Sequence, residues 1–143
     1  MIESTEAIAH TRESILLVED DQDLADMFQL GLESAGFAVE RASDGLTAID
    51  LALSRTPDLV LMDQGLPVLN GLEALERLRS NRRGVRLPVV MFSNRDDDDL
   101  VQQASALGAV EWVVKSRVTP GQLAQRVGTW LDGAASNPSR GER

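Results

Sequence analysis

Acidic residues in this chain stand where short apolar runs end. The run SILLV (Ser14 to Val18) leads into Glu19, Asp20 and Asp21, and the run LVLM (Leu59 to Met62) leads straight into Asp63. A lone charge at the edge of a core costs roughly several kcal/mol unless it is paired. Asp63 is therefore either a polar residue leaving the core or a group placed to meet something. Two more run ends carry chemistry: Ser93 follows LPVVMF and Lys115 follows EWVV. Taken singly, each is more often an N-cap serine or a solvated lysine. Taken together, a carboxylate nucleophile, an acid cluster that calls for a cation, a hydroxyl and an ammonium suit phosphoryl transfer. That chemistry rests on positioning and charge neutralisation, and aspartate can serve as its acceptor.

These residues come together only if the elements that carry them are ordered correctly. Between a polar arm (residues 1–13) and a tail expected to be flexible (residues 133–143), apolar runs alternate with helical patterns. SILLV, FAVERA, DLVLM, LPVVMF and EWVV read as strands. DLADMFQLGLESAG reads as a helix with Leu24, Met27, Phe28 and Leu32 or Leu30 inward, stopped by Gly36. GLTAIDLALSR ends before Pro57. GLEALERLRSN places Leu72, Leu75 and Leu78 inside and Glu76 and Arg79 outside. DDDDLVQQASALG turns Leu100, Ala104 and Leu107 to one face. TPGQLAQRVGTWL opens with Thr119, Pro120 and Gln122, which supply an N-cap, a first-turn proline and a capping-box partner.

Five strands alternating with five helices predict an α/β fold: a flavodoxin-like, doubly wound (βα)5 with a five-stranded parallel sheet in the order 2-1-3-4-5. Ligands of such sheets bind beyond the carboxyl ends of the strands, where the order reverses between the first and third. Glu19, Asp20 and Asp63 converge there. Like charges so close raise one another's pKa, and a hard divalent cation with oxygen ligands, Mg²⁺, resolves the conflict. Asp21 and Asp23 have the simpler reading of N-cap and first-turn acids.

Composition narrows the function classes. The formal net charge of -9, from 14 basic and 23 acidic residues, disfavours direct binding to nucleic acid. The absence of cysteine removes disulfide, thiolate and Cys-ligated metal chemistry, and the one histidine, His10, lies in the polar arm. There is no signal-peptide pattern and no membrane-length apolar run, so a cytoplasmic location is expected.

The segments ILLVEDD, PDLVLMDQGLPVLNG, LPVVMFSN and GAVEWVVKS, in this order and spacing over about Ser14 to Leu131, resemble the response-regulator receiver domain of two-component signalling. On that resemblance residues 14–132 form the receiver domain and Asp63 is the phosphoacceptor. Glu19 and Asp20 hold Mg²⁺ with Asp63, and Gly65 adds its backbone carbonyl. Lys115 pairs with the phosphoryl group, Ser93 is the switch hydroxyl, and Trp112 takes the switch aromatic position. Pro67 and Gly71 shape the loop after the acceptor. The chain departs from the family at Ser116, where a proline is usual, at Asn94, where a small residue is usual, and at Trp112, where tyrosine or phenylalanine is usual.

The resemblance implies a signalling protein rather than an enzyme, beyond self-catalysed phosphoryl transfer and dephosphorylation. A histidine kinase or histidine phosphotransfer protein is the expected donor. With only a short tail after the last helix, output is expected through binding a protein target that the sequence does not name, with Gln102, Glu111 and Gln122 as exposed candidates. Neither DNA nor membrane is an expected direct partner. The alternatives are a receiver-fold adaptor that works without phosphorylation and, more remotely, a haloacid-dehalogenase-like phosphatase. The latter wants an acid two residues after the nucleophile, where this chain has Gly65.

Overall fold

Strand β1 (Ser14–Val18) is buried along nearly its whole length, as a run of large apolar residues must be when helices cover both sides of a sheet. Our computed structural model describes residues 12–135, so His10 and most of the N-terminal arm lie outside the described residues. After β1 come α1 (Gln22–Ser34), β2 (Ala38–Ala42), α2 (Gly45–Arg55), β3 (Leu59–Met62), α3 (Gly71–Arg79), β4 (Val89–Phe92), α4 (Asp98–Ala106), β5 (Glu111–Val113), a 3-10 turn (Lys115–Arg117) and α5 (Pro120–Ala135). The sheet runs β2-β1-β3-β4-β5 with every pair parallel, the order predicted from the alternation. The tail was expected to begin at Gly133, whereas α5 continues to Ala135; the remainder of that tail lies outside the described residues.

Period-two alternation along the strands makes two apolar layers. Leu16, Val18, Val60, Met62, Val89 and Met91 face α2, α3 and α4. Ile15, Leu17, Leu59, Leu61, Val90 and Phe92 face α1 and α5, where Phe28 meets Phe92 edge-on at 4.9 Å between ring centroids. The pairing Val18↔Met62 aligns the ends of β1 and β3, so the acids that follow both strands emerge side by side.

Local chemistry sets the helix ends. Asp21, Asp44 and Asn70 cap α1, α2 and α3 from their side chains, and Asn70 forms a reciprocal capping box with Glu73. Thr119 and Gln122 make the equivalent exchange at α5, with bonds of 2.9 and 3.1 Å.

Two expectations about helix faces need correction. Met27 is 42% exposed and Ala25 is buried in its stead; of the alternatives Leu32 and Leu30, Leu32 is the one buried, while Leu30 is 67% exposed. The inward stripe thus runs through positions 25, 28 and 32, because α1 packs on a sheet face already filled by Phe92 and the apolar side of α5. Arg79, expected outside, is half-buried: its guanidinium donates to the carbonyls of Leu107 (2.6 Å), Gly84 (2.7 Å) and Gly108 (3.3 Å). Burial pulls its pKa below the usual arginine value.

Asp44 provides a check on this frame. Hydrogen bonds from Thr47 hold its carboxyl below the usual aspartate range. Asp44→Ala should cost about 1 kcal/mol at neutral pH, measured by urea unfolding. A depressed folded-state pKa means the cap's contribution is complete above the ordinary carboxylate range and is lost as pH falls through the depressed value. The gap between the two proteins should therefore close in acid.

Candidate functional site

All four site-bearing strands, β1, β3, β4 and β5, deliver their next residues to the same end of the sheet. Glu19 and Asp63 are 4% and 7% exposed, and Lys115 at 7% lies between them. Lys115 Nζ donates to Asp63 Oδ2 at 3.0 Å and makes a very short contact with Glu19 Oε1. The ammonium also sits 5.9 Å from the centre of the Phe92 ring, at the end of the neighbouring strand. Asp20 is exposed on the open side. Carboxylate oxygens of Glu19, Asp20 and Asp63 lie within 4.8 Å of one another, so an oxygen-seeking cation could touch all three.

The electrostatics follow from burial. Desolvation raises the Glu19 pKa above the ordinary glutamate value, against the opposing pull of Lys115 and the Asp21 N–H. Desolvation lowers the Lys115 pKa, but its bonds to Glu19 and Asp63 outweigh this and the net shift is upward.

The loop after Asp63 is fixed by close backbone approach. A Cβ at Gly71 would stand 2.2 Å from the Asp63 carbonyl oxygen, and one at Gly45 2.1 Å from the Leu69 carbonyl oxygen. Only glycine lets α3 begin so near Asp63. The Leu69 N–H bonds back to the Pro67 carbonyl at 2.7 Å, closing a γ-turn with Val68 at φ 70°. A β-branched residue there costs about 1–3 kcal/mol of backbone strain, and Val68 is 73% exposed. Gly65 donates its N–H to Asp63 Oδ1 at 3.4 Å, and among the described residues its carbonyl accepts no hydrogen bond.

Ser93, 2% exposed, ends β4. Its hydroxyl oxygen accepts the Arg95 N–H at 3.3 Å rather than bonding to Asp63 or Lys115. Trp112 is half-buried, and its indole N–H donates to the Arg95 carbonyl at 2.7 Å. Gln102 and Gln122 are exposed. Glu111 is exposed too, but committed: it accepts from Trp130 Nε1 at 3.0 Å and pairs closely with Arg126.

Two contributors escape sequence reasoning. Gln64 is buried, and its Oε1 accepts the Leu72 N–H at 2.9 Å, tying the residue after Asp63 to the start of α3. A polar residue two positions after a buried strand is its only trace in the sequence. Asn94 Oδ1 accepts the Ser116 N–H at 2.8 Å. Proline has no N–H, so the two departures at Asn94 and Ser116 form one hydrogen bond, between the loops that carry Ser93 and Lys115. The described peptide bonds are all trans.

Residues 15–128 match the family model described as the response regulator receiver domain. Among curated proteins, the chain is 34% identical over 120 residues to the transcriptional regulatory protein CreB of Escherichia coli, covering 84% of this chain and 51% of CreB. It is 34% identical over 111 residues to the phosphate regulon transcriptional regulatory protein PhoB of Rhizobium meliloti, covering 78% and 49%. The chain thus spans about half the length of these curated relatives. Among solved structures, the receiver domain of sensor histidine kinase PA1611 from Pseudomonas aeruginosa, with a magnesium ion in its active site cleft, superposes with a TM-score of 0.77 at 26% identity, covering 85% of this chain and 99% of that one. Chemotaxis response regulator CheY4 of Vibrio cholerae gives 0.76 at 28% identity, covering 83% and 98%.

Removing the ammonium should expose the conflict it settles. Lys115→Met leaves two buried carboxylates uncompensated, and the metal-free protein should lose about 3 kcal/mol in urea unfolding at neutral pH. A raised folded-state pKa means that protonating Glu19 favours the fold, so the deficit should narrow as pH falls through that raised value. Added Mg²⁺ should also narrow it. A deficit unaffected by both acid and Mg²⁺ would mean that Lys115 contributes packing rather than charge.

Proposed function

The chain belongs to the response regulator receiver family, and from that membership we propose that Asp63 takes a phosphoryl group from a phosphohistidine of a histidine kinase or histidine phosphotransfer protein. One observation carries the assignment: the buried Lys115 ammonium lies 3.0 Å from Asp63, inside a cluster whose three carboxylates can share a cation. Receiver domains bind Mg²⁺ at an acidic site, and the donor set here fits it: hard oxygens on Glu19, Asp20 and Asp63, with the Gly65 carbonyl, which accepts no hydrogen bond among the described residues, as a further oxygen donor. When bound, Mg²⁺ neutralises the carboxylates and the oxygens of the transferred group.

The remaining work belongs to this chain's own atoms. An Asp63 carboxylate oxygen attacks phosphorus, the new P–O bond forms as the donor's P–N bond breaks, and the electron pair leaves with the imidazole. Lys115 is held against Asp63 and can follow charge onto the phosphoryl oxygens. The Ser93 hydroxyl accepts from Arg95 and retains its own proton to donate. No further catalytic protein is required for transfer from a small donor.

Readout follows from the same contacts. The phosphoryl group adds about -1.5 to -2 charge and three strong acceptors. Drawing Ser93 and Lys115 toward it disturbs the loop at Arg95, and with it the bond that holds Trp112. The surface of α4, β5 and α5 then changes its affinity for a protein target, biasing a two-state equilibrium. Gln102 and Gln122 are available on that surface, while recruiting Glu111 would require breaking its bonds to Arg126 and Trp130.

Two measurements test the proposal. Acetyl phosphate with Mg²⁺ should add one phosphoryl group to the protein, mapped to Asp63 by peptide mass, and Asp63→Asn should take none; equal labelling of the variant sinks the assignment. In a Trp130→Phe background, Trp112 emission should change on phosphorylation, and Ser93→Ala should reduce that change while Asp63 remains modifiable. An unaltered spectrum at full phosphorylation would place the readout on another face.

A further inference from the structure

Charge in this chain is separated by position. Residues 77–95 hold six arginines (Arg77, Arg79, Arg82, Arg83, Arg86 and Arg95) and no aspartate or glutamate, in a chain of formal net charge -9. Arg82, Arg83 and Arg86 stand exposed on the connection from α3 to β4. In a parallel sheet that connection lies at the amino end, about 13 Å of strand away from the carboxylates at the other end.

The connection is built rather than loose. Arg79, held from within, donates to the Gly84 carbonyl at 2.7 Å, and the Asn81 side chain accepts the Arg83 N–H at 2.9 Å. A Cβ at Gly84 would stand 2.5 Å from the Leu78 carbonyl oxygen, so the loop presses directly on the end of α3. Arg83 reaches the Leu53 carbonyl at 3.3 Å. Arg82 and Arg83 are therefore carried by a fixed backbone, which lowers the ordering cost of binding.

Two clefts flank the connection. One, of about 870 Å³, is bounded by Leu53, Ser80, Asn81, Arg82 and Arg83. The other, of about 410 Å³, takes in Val85, Arg86, Pro88, Val110 and Trp130. Among the described residues, no carboxylate lines either cleft. Val85 and Val110 are 48% and 47% exposed, among the few large apolar side chains on the surface. Guanidinium forks match carboxylates in paired geometry, and the valines and indole offer an apolar seat between them. A nucleic acid or an anionic membrane would use the arginines but not the apolar seat between them.

We propose that the arginine-rich connection between α3 and β4, with the apolar groove beside it, docks an acidic segment of a partner protein whose carboxylates flank apolar side chains, whatever the state of Asp63. The site lies at the opposite end of the sheet from the proposed acceptor, so it would anchor a partner while the other end exchanges phosphoryl groups.

The probe is a fluorescein-labelled peptide alternating Glu-Asp pairs with leucine, followed by polarisation at about 0.05 M and about 0.3 M salt. It should bind the full chain and weaken with salt. The double variant Arg82→Glu, Arg83→Glu should bind on the order of 10-fold more weakly. Asp63→Asn should bind like the parent, so failure of the phosphoacceptor assignment and failure of this one are separately visible. Val85→Ser should also weaken binding, while unchanged far-UV circular dichroism confirms that each variant folds. The proposal is overturned if the peptide does not bind, if it binds the double variant equally, if a leucine-free acidic peptide or a duplex DNA of equal charge binds as tightly, or if sedimentation shows that a second copy of this chain takes the groove.

Discussion

Two buried carboxylates share one ammonium, and much of this molecule is arranged around that fact. Glu19 and Asp63 each follow a strand of the sheet centre, where solvent is excluded from both faces. Lys115, joined to both, compensates charge that burial would otherwise leave unpaired. Lys115 is the chain's only lysine, every other strongly basic side chain being arginine. A compact ammonium on a flexible stem can serve two acceptors in a narrow site and shift toward a third, whereas a planar guanidinium fork would fix one geometry. The pair is a resting arrangement as well as a stabilising one. Any cation that entered among Glu19, Asp20 and Asp63 would relieve the same repulsion that Lys115 relieves.

Backbone constraints keep this charge balance in place. Gly71 allows α3 to start against the Asp63 carbonyl, and Gln64 ties the next residue to that helix through Leu72. The γ-turn at Val68 then returns the chain sharply enough for Leu69 to meet Gly45 at the start of α2. Asp63 is thus clamped on its chain-following side while its carboxylate faces the acid pocket. Strain at Val68 is tolerable because the surrounding contacts leave the loop few alternatives.

How much of this could be read from sequence depended on distance along the chain. The strands β1, β3 and β4 were legible because continuous apolar runs of four or so residues between turn signals fit the inside of a parallel sheet. The acid cluster was legible because the fold fixes which strand ends are neighbours. Helix faces were less so. Met27 and Leu30 fit an apolar stripe equally well, and only the volume of Phe92 and the docking of α5 decide that Ala25 goes inward. Arg79 reads as a solvated residue until Leu107 and Gly108, 28 and 29 residues away, bring their carbonyls to it. Asn94 and Ser116 read as two separate departures from a family pattern. That they are partners depends on a contact across 22 residues, which no local rule contains.

That last pair also bears on how the site could move. The loop between β4 and α4 is braced twice from the β5 side, through Asn94 to the Ser116 N–H and through the Arg95 carbonyl to the Trp112 indole. Each brace is a single partly solvated hydrogen bond, contributing about 1 kcal/mol net. Together they hold the loop against drift, yet remain weak relative to the charge-assisted bonds that a phosphoryl group would form with Lys115 and Ser93. A phenylalanine in place of Trp112 would lack an N–H to donate, and a proline in place of Ser116 would remove the other donor. This chain therefore sets its resting state with two donors, one on β5 and one on the 3-10 turn that follows it. Movement of Ser93 strains both acceptors at once, because Asn94 and Arg95 are the residues that immediately follow it.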